Sequence, residues 1–154
     1  MIKLKDLLFE STAPDIFIPR RMEDRVERMI KDYVRNGIKG NLDLSSMKLT
    51  VLPEILKNVT VDGNFWCGHN NLTSLKNAPS IVVGSFFCGH NKLTTLEGSP
   101  SSVGRNFDCS YNVLTSLEFA PTSVGRDFDC SNNSVKFTKE QVRAVCDVKG
   151  YVFV

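Results

Sequence analysis

The residues in this chain with the most chemical potential recur along it instead of clustering. Its two histidines, His69 and His90, each sit in the tetrapeptide Cys-Gly-His-Asn, so Cys67 with His69 and Cys88 with His90 offer two thiols and two imidazoles. Such a set can hold a tetrahedral zinc ion, and a thiol beside an imidazole is also the pair that makes a cysteine nucleophile. A second constellation is acidic: Asp108 and Asp129 stand 21 residues apart in matching Phe-Asp-Cys segments. Side by side, they would form a coupled carboxylate pair or a weak cation site. A third is aromatic, with Trp66, Phe87 and Tyr111 interleaved among these positions.

The recurrence points to the elements that must place these groups. Cys67, Cys88, Cys109 and Cys130 repeat at a step of 21, as do Phe65, Phe86, Phe107 and Phe128, and Asn70, Asn91, Asn112 and Asn133. Leucines (Leu72, Leu93, Leu114, continued by Val135, then Leu75, Leu96, Leu117), prolines (Pro79, Pro100, Pro121) and valines (Val82, Val103, Val124) keep the same step. A more divergent copy, Leu42 to Leu52, precedes them by 23 residues and carries Met47 where the asparagine belongs. In Phe-x-Cys the two side chains point to one face and the middle residue to the other, so stacked copies give parallel strands with inward Phe, Cys, Leu and Val ladders. One copy cannot bury its apolar face alone, and at least three must stack. The asparagines are expected to turn inward and bond the backbone of the tight turn after the strand. The prolines favour an extended return over a full helix. The glycines of Gly-Arg-Asn-Phe (104–107) and Gly-Arg-Asp-Phe (125–128) are expected to supply an unusual backbone angle.

The unit Phe-x-Cys-x-x-Asn-x-Leu-Thr-Ser-Leu-x-x-x-Pro-x-x-Val resembles the leucine-rich-repeat family, L-x-x-L-x-L-x-x-N/C-x-L, with Phe and Cys in place of two leucines. Its short period and Leu-x-x-x-Pro return look like the compact bacterial and phage versions, and the likeness covers residues 40 to about 137. It implies an α/β solenoid: a parallel concave sheet, an irregular or extended convex side, and helical caps at both ends. The expected organisation is a leader helix and linker (1–14), an N-terminal helical cap (15–40), about five repeats (41–137, the first divergent and the last partial) and a C-terminal cap (138–154). In the first cap Met22, Val26, Met29, Ile30, Tyr33 and Val34 fall at helical spacing between Pro19 and Gly37. In the second, Thr138-Lys139-Glu140-Gln141 reads as a capping box, Val142, Val145 and Cys146 as one apolar face, Gly150 as a helix stop, and Tyr151 to Val154 as a last strand or lid.

This register argues against chemistry at the tempting residues. The cysteines take inward leucine positions, where an apolar setting makes a thiol inert. The histidines take a variable column that continues as Tyr111 and Asn132, so no ligand set is kept through the stack. Neither a metal, a cofactor nor a catalytic residue is expected, and the chain reads as non-enzymatic. Binding is another matter. The column between Phe and Cys reads Trp66, Phe87, Asp108, Asp129, the residue before Phe adds Asn64, Ser85, Asn106, Asp127 to the same surface, and the column two after Cys reads His69, His90, Tyr111, Asn132. One half of the outward face is thus aromatic and the other acidic, with Arg105 and Arg126 at the rim. An apolar anchor beside a charged flank suits a protein partner with a complementary basic patch. A cap or a second copy of the chain is the other candidate cover, so a homo-oligomer remains open.

Composition agrees. A formal charge of +2 from 19 basic and 17 acidic residues leaves no footprint for a polyanion, and carboxylates beside the aromatics would repel the phosphates of a stacked single strand. Neither a signal peptide nor a membrane-length apolar run is present, which points to a reducing cytoplasm for five cysteines. The first ten residues resemble the capsid-targeting propeptides of large tailed phages, with Leu8-Phe9-Glu10 matching a Leu-x-Glu cleavage site. That resemblance implies a phage protein acting on a host or host-defence factor in the host cytoplasm; alternatively, a packaged or self-assembling component of the virion interior.

Overall fold

The Phe-x-Cys alternation places one side chain of each short strand in the core and leaves the next outside, and the architecture follows from repeating that step. A computed structural model describes residues 23–154. The expected leader and linker, the Leu8-Phe9-Glu10 site, Pro19 and Met22 lie outside the described residues. The chain opens with helix α1 (Glu23–Arg35) and strand β1 (Leu42–Asp43), and a 3-10 turn (Glu54–Asn58) leads to β2 (Thr60–Val61). Each later repeat contributes one strand to each of two sheets: β3 (Phe65–Trp66) and β4 (Ile81–Val82), β5 (Phe86–Phe87) and β6 (Ser102–Val103), β7 (Phe107–Asp108) and β8 (Ser123–Val124). After β9 (Phe128–Asp129) come helix α2 (Lys139–Val145), β10 (Asp147–Val148) and β11 (Val152–Phe153).

One sheet has six strands in the order β1-β3-β5-β7-β9-β11, the other five in the order β10-β8-β6-β4-β2, and every pairing is parallel. The molecule is a solenoid-like stack of α/β repeats. The return side, expected as irregular or extended chain, is extended enough to pair into the second sheet. Between the sheets Phe65, Phe86, Phe107 and Phe128 are fully buried, their successive rings 5.3, 5.7 and 5.1 Å apart. Each such burial contributes roughly 2–3 kcal/mol before conformational entropy is counted. Leucines at 72, 75, 93, 96 and 114 complete the apolar filling, but Val135, expected to continue the Leu72 ladder inward, is exposed where the repeat gives way to the C-terminal cap.

Two polar ladders hold the copies in register. The first is the asparagine column, and its reach is longer than one turn. Asn112 accepts from the Leu93 N–H (2.9 Å) of the preceding repeat and donates to the carbonyls of Cys88 in that repeat (3.1 Å) and Cys109 in its own (3.1 Å). Asn91 and Asn133 make the equivalent three bonds, and Asn70 accepts from both Met47 and Leu49 while donating to Leu44 and Cys67. Each amide reaches backward, and among the described residues helix α1, not another repeat, precedes the first copy, where Met47 stands in place of the asparagine. The second ladder reaches forward. Side-chain oxygens of Asn41, Asn64, Ser85, Asn106 and Asp127 each accept the backbone N–H of the residue one repeat later, at 2.8 to 3.3 Å. Its last bond among the described residues is the one to Tyr151.

Some local expectations need correction. Gly104 and Gly125 do not adopt positive φ; a Cβ on either would collide with the carbonyl oxygen of Val83 or Gly104 in the preceding repeat, so close stacking is what requires glycine there. Gly150 does not stop α2 either. The helix ends at Val145, the chain enters β10, and Gly150 falls between β10 and β11. The capping box is present, with Thr138 accepting from the Gln141 N–H and the Gln141 side chain accepting from Thr138. Val142 and Cys146 are buried beneath α2 while Val145 is exposed.

Each end of the stack closes its backbone with one long side chain. The Tyr33 hydroxyl accepts from the Asp62 N–H (3.2 Å) and donates to the Gly40 carbonyl (3.0 Å). At the far end the Arg143 guanidinium donates to the carbonyls of Val148 (2.9 Å) and Gly150 (3.1 Å). Such contacts keep a sheet edge from templating another chain.

Asn112→Ala should destabilise the protein by about 2 kcal/mol in urea denaturation, since it orphans the buried Leu93 N–H and removes one of the two amide donors on each of the Cys88 and Cys109 carbonyls. Met47→Asn should stay within about 1 kcal/mol of the parent, because that position has no repeat behind it.

Candidate partner-binding face

The core-facing strand positions are filled, so the outward columns carry whatever the surface can do. Trp66 and Phe87 are half-buried on adjacent strands, their rings stacked with centroids 5.8 Å apart and planes 6° from parallel. Three residues further along, the chain leaves each strand in a tight turn, and the second aromatic column sits there. His69, His90 and Tyr111 are exposed and stacked face to face, with centroids 4.3 Å apart in both steps and interplanar angles of 11° and 8°. Their backbone is left-handed, at φ 54°, 55° and 51°, and the same column continues as Asn132 at 56° and begins as Ser46 at 57°. Each turn is pinned to the next by its own N–H: His69 to the Gly89 carbonyl, His90 to Ser110 and Tyr111 to Ser131, at 3.0 to 3.1 Å. The ring spacing therefore follows from the backbone pitch.

Left-handed backbone is costly for any residue with a Cβ, roughly 1–2 kcal/mol, and asparagine tolerates it better than an aromatic does. Asn132 shows that this position accepts the cheaper residue. Three successive aromatic rings at such a position, exposed to water, have no evident folding role beyond contact with one another.

The acidic residues are more structured than a solvated edge. Asp108 Oδ1 accepts both the Ser110 N–H (2.9 Å) and its hydroxyl (2.6 Å), and Asp129 holds Ser131 in the same way (2.9 and 2.7 Å). Asp43 repeats the motif on Ser45 at 2.8 and 2.6 Å. The column thus alternates between two local solutions that are visible in the sequence as Asp-x-Ser and aromatic-x-Gly. Where Trp66 and Phe87 stand, the third residue is Gly68 or Gly89, and a Cβ there would lie 2.9 Å from the Gly89 carbonyl oxygen or 3.1 Å from Asp108 Oδ1. Asp108 and Asp129 are paired across β7 and β9, and each is oriented by its own serine.

Arg105 and Arg126 are exposed on the turns leading into β7 and β9, and the ion pairs among the described residues involve other groups. Strand pairing also places two outward residues that sequence spacing alone did not align. Val152 pairs with Phe128, so Phe153 extends the Trp66 column beside Asp129, half exposed, and Tyr151 follows Asp127, its ring 6.4 Å from Phe153. The step to them is 24 residues because α2 and β10 intervene. By contrast Asn64, Ser85, Asn106 and Asp127, which spacing alone groups with the surface, are committed to the forward ladder.

The thiol–imidazole pairs separate. Cys67 and Cys88 are buried in the core while His69 and His90 are exposed beyond the strand, on the opposite side of the backbone. All five cysteines are free and buried. Burial pushes the Cys67, Cys88 and Cys109 thiols far up, Cys130 to about 12 and Cys146 to about 11, with nearby carboxylates adding to the rise at Cys130 and Cys146. Neutral thiols then serve as weak donors, Cys88 Sγ to the Asp108 carbonyl at 3.2 Å and Cys109 Sγ to Asp129 at 3.4 Å. Among the described residues no group of three or more His, Cys, Asp or Glu is gathered around a metal-sized space, and no helix is long and apolar enough to cross a membrane.

No model of a known protein family matches the chain, and neither a curated protein nor a solved structure matches it significantly.

A thiol whose pKa rises on folding keeps its proton in the native state while the unfolded chain releases it. Its contribution is complete below the ordinary thiol value and is lost as pH climbs toward the folded value. The urea midpoint should therefore hold steady from about pH 7 to 8.5 and fall above about pH 9, each buried thiol adding up to ~1.4 kcal/mol per pH unit. Thiol reagents should label the native protein slowly at neutral pH, with Cys146 first.

Proposed function

We propose that this protein is a non-enzymatic, leucine-rich-repeat interaction module that grips another protein with the outward face of its six-stranded sheet. The observation that carries the proposal is the strained, exposed ladder of His69, His90 and Tyr111 running beside the Trp66–Phe87 stack. Five aromatic side chains on one surface give large, rigid contact area at low entropic cost, and buried aromatics dominate the energetics of protein interfaces. The repeat pattern and two-sheet stack support the family reading. So does the clasping asparagine, which in the four later copies bonds backbone groups of its own repeat and of the one before. The inert thiols and the serine-bound carboxylates leave the same residues little scope for catalysis. Five free cysteines suit a reducing cytoplasm.

Affinity capture followed by cross-linking mass spectrometry should identify a partner whose cross-links surround the aromatic columns. Trp66→Ala and Tyr111→Gly should each weaken capture about tenfold or more. Tyr111→Gly should at the same time leave thermal stability unchanged or raise it by up to about 1 kcal/mol, because it relieves left-handed strain. Ile81→Ser, on the outer side of the second sheet, should capture as the parent does. Capture that survives both aromatic substitutions would refute the proposal.

A further inference from the structure

We infer that the outward row of the six-stranded sheet is a docking strip for an extended, arginine-bearing segment of a partner protein. This rests on the protein-binding reading above and adds the chemistry of what is bound. Strand pairing sets the row in the order Asp43, Trp66, Phe87, Asp108, Asp129, Phe153. Carboxylates thus stand on both sides of the stacked Trp66 and Phe87 rings, and a third ring, the half-exposed Phe153, closes the far end. At about 4.8 Å per strand the six positions span about 24 Å, the length of roughly seven residues of extended chain.

The three carboxylates share one state. Each commits Oδ1 to a serine N–H and hydroxyl two residues on, which fixes the carboxylate plane. In none of them does Oδ2 take part in a hydrogen bond or an ion pair among the described residues. Arg105 and Arg126, the nearest basic side chains in sequence, lie on the turns before β7 and β9 and pair with neither aspartate. The row therefore presents oriented, uncompensated negative charge against aromatic faces. Guanidinium matches both halves of that surface, since it is weakly hydrated, forks onto carboxylates and stacks on aromatic rings. Ammonium matches only the charge, and a phosphate backbone meets repulsion along the whole row.

Trp66 is the chain's single tryptophan, so its fluorescence reports the strip directly. The probes are short extended peptides of one threonine–valine host carrying arginine, citrulline or glutamate at alternate positions, with oligouridine as the nucleic-acid arm. The arginine peptide should shift Trp66 emission with an affinity at least about tenfold above that of the citrulline peptide and falling with salt. Asp108→Asn with Asp129→Asn keeps an acceptor for each serine, so it should preserve the melting temperature while weakening that binding about tenfold. Equal affinity for arginine and citrulline peptides, no Trp66 response to the arginine peptide, an unchanged double variant, or tighter binding of oligouridine would each overturn the inference. Capture that depends on Trp66 and Tyr111 but not on Asp108 and Asp129 would leave the protein-binding reading standing and remove this one. Loss of dependence on all four would remove both.

Discussion

The hydrogen bonds of four asparagine side chains set the register on which everything else depends. A stack of two-residue strands has almost no intrinsic cooperativity: each strand is too short to define its own alignment, and an apolar ladder tolerates small slips. Asn70, Asn91, Asn112 and Asn133 remove that freedom because each binds two successive copies at once, through an N–H and a carbonyl of the one before and a carbonyl of its own. A slip of one residue would break all of these bonds together and leave backbone groups buried without partners. The forward ladder from Asn41 to Asp127 does the same at the other end of each strand. Between the two, the strands are clamped at both ends, and in-register stacking of surface side chains follows.

That clamping explains why the ends of the chain read differently from its middle. A backward-reaching residue is dispensable in the first copy, and a forward-reaching one in the last. Met47 and Tyr151 are those two exceptions, so what looks in the sequence like decay of the repeat is the expected boundary condition of a directional ladder. The caps obey the same logic. Tyr33 and Arg143 are not repeat residues, yet each supplies the polar contacts that a missing neighbour would have made.

Much of this was legible from spacing alone. The 21-residue step identified the Phe, Cys, Asn and Leu ladders and assigned them inward, because period-2 alternation leaves no other choice for Phe and Cys. What spacing could not reveal was which outward polar residues were already spoken for. Asn64 and Ser85 look like surface side chains until their partners one repeat later are seen. Asp108 looks like a free carboxylate until Ser110 is found on it, although the recurrence of Asp-x-Ser opposite aromatic-x-Gly was a readable clue. Phe153 escaped because α2 and β10 stretch its step to 24 residues, and only strand pairing restores it to the row. The left-handed turn under His69, His90 and Tyr111 was hidden for a different reason: histidine and tyrosine are poor indicators of positive φ, and only Asn132 at the end of the column hinted at it.

The contrast between the two kinds of column is what gives the surface its meaning. Where the fold needs a residue, this chain supplies one whose chemistry satisfies the backbone with little waste: asparagine in the clasp, serine beneath aspartate, glycine where two backbones nearly touch. Across the turns after β3, β5 and β7 it does the reverse. It sets aromatic rings in a backbone conformation that disfavours them, at a position where Ser46 and Asn132 prove that smaller residues fit. Ring stacking at 4.3 Å returns part of that strain, since offset aromatic pairs contribute about 0.5–1.5 kcal/mol each, but stacking in water does not require exposure. A residue that opposes local preference without serving the core is best explained by what it meets outside the molecule. Under the proposed binding role the turn column and the Trp66–Phe87 stack would act as one surface, and the ladders beneath them hold its side chains in register.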